Sequence, residues 1–332
     1  MRSLIRLLLF AVLFLLVAYA TLWGTLALWF KLPGSGFVRG LAAACFGLFG
    51  IGTLVAVFRP ARWHWLAIFT VALIAINGWW NTLVAPADGN WSPEVARQAT
   101  GTIDGDILTL TNVRAFEWRT ADDFDEEWVT RSYDLSQIET VDMFLSYWGG
   151  PSMAHFMLSF GFANGDYLTW SNEVRRPIGG SFSPISDFFK AHPIVIIAAE
   201  EQDVVGLRSN IRQERVQIFR FRGRPEASRH LVEAYVAAAN EIAEKPHWFN
   251  SVFTNCSRTA ILLARHVGIN IPMDYRVIVN GYFPELLYER GSLNTDVSMQ
   301  ELYSLGAINE RAIATGLNED YSAAIREGVP SP

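Results

Sequence analysis

Cys256 is the residue of this chain whose type and setting most clearly suggest chemistry. It follows Thr254 and Asn255, two good N-cap residue types, and precedes residues 259–265, whose apolar side chains recur at helical spacing. A cysteine in the first turn of a helix lies among free N–H groups at the positive end of the dipole, which favours the nucleophilic thiolate. The same N–H groups can stabilise the oxyanion that forms when sulfur attacks a carbonyl. The alternative interpretation is that Cys256 is a small buried hydrophobe at a helix start.

A thiol nucleophile needs a base, and the positions of the histidines narrow the choice. His266 lies ten residues beyond Cys256 on the same helix, which puts it about 15 Å away and out of reach. His247, in a loop nine residues before Cys256, remains a rival. His155 begins a strand beside small residues and a Gly-Gly-Pro turn, which leaves room for a substrate. The alternative for His155 is a hydrogen-bonded histidine with a purely structural role.

A group that orients the base is expected on the strand that follows the His155 strand. The Asn164-Gly165 pair between them is a strong hairpin signal. A two-residue turn there would place His155 diagonal to Asn172, whereas a one-residue bulge would bring Glu173 directly opposite. Either register brings the histidine together with a polar or acidic group at the open end of one hairpin.

These residues are expected to lie in a β-rich region followed by helices. The predicted strands are residues 101–103, 106–111, 113–118, 128–133, 138–147, 154–162, 167–174, 193–197 and 216–221. The predicted helices are residues 91–99, 184–191, 202–211, 225–244 and 284–290, together with the helix that begins near Cys256. Acidic residues precede basic ones across residues 200–212, the order that suits the helix dipole, so these charges are interpreted as structural. The last ten residues are expected to fray.

Three apolar runs precede this region, at about residues 4–30, 37–58 and 65–84. Each is long enough to cross a bilayer core of about 30 Å. The N-terminus and the second loop carry four basic residues against two in the first loop, which predicts a cytoplasmic N-terminus. Residues 1–86 are therefore predicted to be a transmembrane anchor, and residues 87–332 a domain outside the cytoplasm.

Charge and cysteine content exclude several classes of protein. Residues 1–96 contain six Lys/Arg and two acidic residues, which gives a net charge of +4. Because the whole chain has a net charge of −6, the remaining residues carry a net charge of −10. A domain of that sign is a poor candidate for nucleic-acid binding. Cys45 lies in an apolar run, so Cys256 is the only thiol of the soluble part, which leaves no disulfide framework or Cys-rich metal site. No metal or cofactor is predicted.

Several segments resemble the periplasmic domain of the Lnb family of lipoprotein N-acyltransferase-like proteins. They are SYWGGPSMAHF at residues 146–156, LSFGF at 158–162, NEVR at 172–175, EQDVVGLR at 201–208 and FNSVFTNC at 249–256. The Asn-Cys pair and the Ala-His strand are also similar to circularly permuted papain-like enzymes, such as lecithin:retinol acyltransferases and NlpC-like hydrolases, in which histidine precedes cysteine. Together with the three apolar runs, the resemblance predicts an α+β fold: three transmembrane helices followed by a permuted papain-like domain with an antiparallel sheet and a Cys-bearing helix.

By position, the resemblance makes Cys256 the nucleophile, His155 the base and Glu173 the best third member. It implies a thiol enzyme of the bacterial inner membrane, multi-pass, with its C-terminal domain in the periplasm. Such an enzyme would move a fatty acyl chain from phospholipid through a Cys256 thioester to an amine, such as a lipoprotein N-terminus. The alternatives are a cell-wall peptidase or amidase acting on peptidoglycan with the same site, and a non-enzymatic binding module.

Overall fold

A computed structural model describes residues 2–222 and 225–332 of the chain. It divides into two compact units. The first contains the residues up to Ala85 together with Ser183–His192, and the second contains Pro86–Phe182 and Pro193–Pro332. The segment Ser183–His192, which the sequence analysis assigns to the C-terminal domain, thus groups with the N-terminal helices.

The N-terminal unit is built on three helices, α1 (Arg2–Lys31), α2 (Gly36–Ala56) and α3 (Arg62–Thr82). All three are long and apolar enough to cross a membrane, which confirms the three predicted runs with ends shifted by a few residues.

Small residues allow these helices to approach closely. A Cβ atom added at Gly50 would lie 2.2 Å from the side chain of Thr21, and one at Gly24 would lie 2.4 Å from the ring of Phe46. Such close approach is how membrane helices gain packing energy without a hydrophobic driving force.

The segment Ser183–His192 begins with the short helix α4 (Pro184–Phe188). The Phe189 ring stacks on Phe30 with centroids 5.5 Å apart, and Lys190 Nζ donates to the Trp80 carbonyl at 2.7 Å. Ring stacking and a charge-assisted hydrogen bond therefore join this segment to α1 and α3.

The second unit is organised around a mostly antiparallel sheet. In the described chain its order is β1-β2-β9-β8-β7-β6-β10, with β5 paired to β2, and β3 and β4 form a separate two-stranded sheet. The strands are β1 (Thr100–Asp104), β2 (Ile107–Arg114), β3 (Glu117–Trp118), β4 (Phe124–Asp125), β5 (Trp128–Asp134), β6 (Ile138–Tyr147), β7 (Ala154–Phe162), β8 (Tyr167–Val174), β9 (Ile194–Ala199) and β10 (Arg215–Arg220).

Helices cover both faces of this sheet. They are α5 (Glu201–Val204), α6 (Pro225–Glu244), α7 (Cys256–His266), α8 (Phe283–Glu289), α9 (Met299–Leu305), α10 (Asn309–Thr315) and α11 (Tyr321–Ala324). Residues of α6, α7, α8 and α9 share a core with one face, and residues of α5, α10 and α11 share a core with the other. Every residue of β9 is buried, as expected for a continuous apolar run between two helical layers. The α+β fold class is thus confirmed.

The β7–β8 hairpin adopts the bulged register. Gly161 faces Tyr167 and Met157 faces Ser171, so continuation of this register places His155 opposite Glu173. Gly165 has a φ of 89°, which a residue without a Cβ adopts readily.

Two local expectations are wrong, and a third holds in part. The predicted helix at residues 91–99 is only the 3₁₀ turn Pro93–Val95, and the Ser92 hydroxyl donates to the distant Pro177 carbonyl. The predicted helix at residues 202–211 is present but irregular, because α5 is followed by the π-helical turn Leu207–Ile211. The chain end is not frayed, because Arg326 is buried and bonds Asp142 and Glu201.

Candidate active site

Cys256 is the first residue of α7, as predicted. The Asn255 side chain caps the helix by accepting from the Arg258 N–H at 2.8 Å, an arrangement that typically contributes about 1 kcal/mol. The thiol therefore lies where first-turn N–H groups lack intrahelical acceptors and the dipole favours negative charge. Cys256 is partly exposed.

The thiol lies against the edge of β7, where the pairing of β7 with β8 has ended. The Asn280 side chain occupies this edge as a strand would, accepting from Ala154 N at 3.0 Å and donating to Ala154 O at 2.7 Å. Cys256 Sγ is 4.0 Å from both Ala154 O and Asn280 Nδ2, and is within hydrogen-bonding reach of the Phe156 N–H. Separation of the two strands thus creates a place for the sulfur beside the histidine.

Gly281 explains why Asn280 can reach this edge. A Cβ at Gly281 would lie 2.1 Å from the Pro151 carbonyl oxygen, so the chain can approach the Gly-Gly-Pro loop only without a side chain. Gly281 N also donates to Ser152 O at 3.1 Å, and Tyr147 donates to Gly281 O at 2.8 Å. These contacts fix the neighbouring Asn280.

His155 connects the thiol to the carboxylate. Its Nε2 lies 2.7 Å from Ser171 Oγ and 3.0 Å from Glu173 Oε1. Because Ser171 donates its own proton to Glu173 at 2.7 Å, Nε2 must be the donor to Ser171. This leaves Nδ1 for Cys256, whose thiol is within hydrogen-bonding reach of the imidazole.

Glu173 is held on its other side by Arg208. Arg208 Nη2 donates to Glu173 Oε1 at 3.0 Å, and Nη1 donates to Glu214 Oε2 at 3.3 Å. Ser146 in turn donates to Glu214. The histidine is therefore backed by a charged network whose members carry compensating partners, as buried charges require.

Electrostatics favours ionised forms of all three residues. Burial opposes the charge on Glu173, but His155 and Arg208 outweigh it and hold the pKa of Glu173 well below its usual range. Burial and Arg208 would lower the pKa of His155, whereas Glu173 and the contact with Cys256 raise it above its ordinary value. Burial would raise the pKa of Cys256, yet His155 and the Phe156 N–H lower it. The pair therefore favours thiolate and imidazolium.

The other two sequence candidates have different partners. The His247 side chain is 45% exposed, and its Nε2 lies 3.5 Å from a carboxylate oxygen of Glu241. Asn172 forms no described hydrogen bond with the imidazole; its Nδ2 donates to Cys256 O at 3.1 Å and so supports the backbone of Cys256. Among the residues that the structure describes, no group of His, Cys, Asp and Glu side chains is arranged to hold a metal ion.

Sequence reasoning missed Ser171, Arg208 and Asn280. Ser171 precedes Glu173 by two residues on one strand, and the two-residue period of strands could have indicated that it shares the face of Glu173. The sequence pattern indicates that Arg208 is a charge that suits the helix dipole, but its guanidinium instead contacts the carboxylate of Glu173, 35 positions earlier in the chain. No local pattern marks Asn280.

Comparison with known proteins identifies one family. Residues 124–281 match the family described as the Lnb N-terminal periplasmic domain, which confirms the resemblance over this segment. The match includes His155, Glu173, Arg208, Cys256 and Asn280. No curated protein and no solved structure matches the chain significantly. With the three apolar helices, the match indicates a membrane protein with a periplasmic domain.

Proposed function

We propose that this chain, with its Lnb-type domain, is a membrane-anchored cysteine acyltransferase of the bacterial inner membrane. It takes a fatty acyl chain from phospholipid onto Cys256 and passes the chain to an amine, such as a lipoprotein N-terminus. The observation that carries the proposal is the contact series from Cys256 through His155 to Glu173 at a helix N-terminus. A buried, ordered histidine with a carboxylate partner beside a thiol is the arrangement that activates a sulfur nucleophile.

The first half-reaction forms the thioester. The Cys256 thiolate attacks the ester carbonyl of the lipid, forming a carbon–sulfur bond and an oxyanion. When this intermediate collapses, the ester carbon–oxygen bond breaks and the His155 imidazolium gives its proton to the departing alcohol. The Cys256 backbone N–H at the helix start and the Asn280 amide, whose Nδ2 lies 4.0 Å from the sulfur, are the donors that can stabilise the oxyanion.

The second half-reaction transfers the chain to the amine. The amine nitrogen attacks the thioester carbonyl and loses a proton to the now neutral His155. The carbon–sulfur bond then breaks, which releases the amide and restores the thiolate beside an imidazolium. Glu173 stabilises that imidazolium and fixes the tautomer throughout. Transfer in place of hydrolysis requires that the amine reach the thioester before water does.

Membrane attachment is consistent with a lipid donor. Drawing a chain of about 16 carbons into water would cost roughly 10 kcal/mol or more, at about 0.8 kcal/mol per methylene. Three membrane-spanning helices keep the enzyme at the bilayer that holds such a donor. The order of histidine before cysteine also supports our proposal that the domain is related to permuted papain-like thiol enzymes.

The test uses full-length protein reconstituted in phospholipid vesicles with a synthetic diacylated lipopeptide that has a free N-terminal amine. We expect the lipopeptide to gain one fatty-acyl mass as an amide, and Cys256→Ser to abolish the gain. Cleavage of peptidoglycan peptides at a Cys256-dependent rate, with no acylated lipopeptide, would contradict the proposal and favour a cell-wall hydrolase.

A further inference from the structure

A large apolar cavity lies along the helix that carries Cys256. Its volume is about 560 Å³, within the range of about 300–1,000 Å³ typical of ligand pockets. Segments of α6, α7, α8 and two sheet strands line it. Its interior is formed by buried apolar side chains, among them Phe156, Leu158, Ala260, Ala264, Phe283 and Leu287.

The inner end of this cavity is lined by neighbours of the proposed nucleophile, although Cys256 itself does not line it. Phe156 contributes its ring to the cavity wall, and its N–H is within hydrogen-bonding reach of Cys256 Sγ. Ala260 follows Cys256 by one helical turn, and Cys256 packs against the hydrophobic cluster to which Phe156 and Ala260 belong. The Phe156 and Phe283 rings meet edge to face at this end, with centroids 6.3 Å apart.

We infer that this cavity receives the hydrocarbon chain of the acyl group carried on Cys256. The inference rests on the proposed function and adds the site that selects the acyl chain. The ligand class is a long, unbranched, uncharged acyl chain, because the interior offers apolar contacts and buries the chain from water. The carbonyl end of the chain stays on Cys256, whose thiol lies beside His155.

The rise of α7 along the cavity predicts how many carbons of an acyl chain the cavity can hold. At 1.5 Å per residue, Ala260 lies about 6 Å along the helix from Cys256 and Ala264 about 12 Å. Gly268 follows the helix end at His266 by two residues, roughly 18 Å from Cys256 on the same rise. An extended alkyl chain advances roughly 1.25 Å per carbon, since its bonds of about 1.5 Å form a zigzag. Chains of about 5, 10 and 14 carbons would therefore reach these three positions.

The outer end of the cavity sets an upper limit. Arg222, Asn270 and Arg290 line the cavity there and are exposed. Neither guanidinium forms an ion pair with a carboxylate in the part of the chain that the structure describes. A chain that extends past Gly268 meets this polar, cationic rim, so chains much longer than about 14–16 carbons gain little further burial.

The test measures which chain lengths acylate Cys256 in full-length protein in detergent micelles. The probes are p-nitrophenyl esters of straight-chain acids of 2 to 18 carbons, and the readout is the mass of the Cys256 adduct. Each variant's profile is normalised to its own acetyl-ester rate. Ala260→Phe and Ala264→Phe fill the cavity at two depths, and Leu262→Phe, at an exposed position of the same helix, is the matched control.

We expect the wild type and Leu262→Phe to accept chains up to about 14–16 carbons. Ala264→Phe should lower the limit to about 10 carbons and Ala260→Phe to about 5, each with at least a 10-fold drop in palmitoyl relative to acetyl labelling. If Ala264→Phe does not fold, Ala264→Leu should give a smaller shift in the same direction.

Three outcomes overturn the inference, and they are distinguishable. If all four proteins gave identical chain-length profiles, the acyl chain would not occupy this cavity, although acylation of Cys256 would still occur. No Cys256 adduct with any ester in the wild type would overturn the proposed function itself. Long-chain fatty acid binding that Arg222→Gln and Arg290→Gln abolish, with unchanged acylation profiles in the Ala260 and Ala264 variants, would reveal a separate anionic-lipid site and also contradict the inference.

Discussion

Arg208 donates to Oε1 of Glu173 at 3.0 Å, and the same oxygen lies 3.0 Å from Nε2 of His155. One carboxylate oxygen is therefore shared between a permanent cation and the imidazole. Arg208 keeps Glu173 ionised, and the ionised Glu173 favours the charged imidazole beside the thiolate. Arg208 therefore acts on the imidazole in two opposite ways: its own charge lowers the pKa of His155, and by keeping Glu173 ionised it preserves the carboxylate that raises that pKa.

Removal of Arg208 should alter the pH profile as well as stability. Arg208→Met leaves Glu173 and Glu214 without their shared cation, so we expect a loss of about 3 kcal/mol or more in the free energy of unfolding. The pKa of Glu173 should rise, and the acid limb of the activity profile should move to higher pH with it. Arg212→Gln is the matched control, because Arg212 is more exposed and 3.9 Å from Glu214. An unchanged acid limb in a folded Arg208→Met protein would contradict this role.

Cys256→Ser and His155→Ala should each abolish acyl transfer while the domain stays folded. A positioned base typically contributes about 10²–10⁴-fold to rate, and both residues lie at a partly open site where packing contributes little. His247→Ala should retain wild-type activity, since its side chain faces Glu241. Thermal unfolding provides the check on folding. The assignment of the base is wrong if His247→Ala is inactive and His155→Ala is not.

The pH dependence of Cys256 alkylation should reveal the coupled pair. We suggest iodoacetamide in a Cys45→Ala background, because Cys45 is also exposed. The lowered pKa of Cys256 predicts that thiolate reactivity begins below the ordinary value of 9.0. In His155→Ala the histidine no longer lowers the pKa of Cys256, whereas burial and Glu173 still raise it against the Phe156 N–H alone, so the midpoint should move to higher pH. If His155→Ala left the midpoint unchanged, the ionisation of Cys256 would not depend on His155, which would contradict the coupled pair.

Glu173→Gln should give a milder loss than His155→Ala. A lost hydrogen bond to a charged group costs about 1.5–3 kcal/mol, roughly 10-fold to 100-fold in rate. Because Glu173 raises the pKa of His155 above its ordinary 6.5, the basic limb of the profile, where the imidazolium loses its proton, should shift to lower pH. Full activity with an unshifted profile would assign Glu173 a purely structural role.

The basic residues of the membrane segment predict the orientation of the chain. Four basic residues at the N-terminus and second loop against two in the first loop favour a cytoplasmic N-terminus. With three spans, a reporter that is active only outside the cytoplasm, fused after Pro332, should be active. If a cytoplasm-only reporter were active at the same junction, the C-terminal domain would lie in the cytoplasm. That result would contradict the predicted topology and place the domain away from its proposed substrates.

The sequence predicted the hairpin and the start of the Cys256 helix well because both depend on local patterns. The bounds of β6, β7 and β8 match the predicted strands, since apolar and turn residues mark each end. The start of α7 follows from the capping preference of Asn255. The bulge that aligns His155 with Glu173 was one of two open registers, because a two-residue turn and a bulged turn share the Asn164-Gly165 signal.

The features that the sequence did not predict depend on contacts between segments that are far apart in the sequence. Asp203 illustrates this, because its carboxylate accepts from Arg114, the Phe116 N–H and Trp118 instead of serving a helix dipole. These bonds are made from α5, the first part of the predicted helix at residues 202–211, which continues as a π-helical turn. The cavity along α7 likewise arises from packing between separate elements and has no signature in any one of them.

The mass of Cys256 after incubation of full-length protein with phospholipid vesicles tests the central claim most directly. The account predicts an adduct of one fatty-acyl chain on Cys256 that hydroxylamine removes, that is absent from His155→Ala, and that disappears when a diacylated lipopeptide amine is added. An unmodified Cys256 in active, folded wild-type protein, or an adduct that persists unchanged in the presence of the amine, would contradict it.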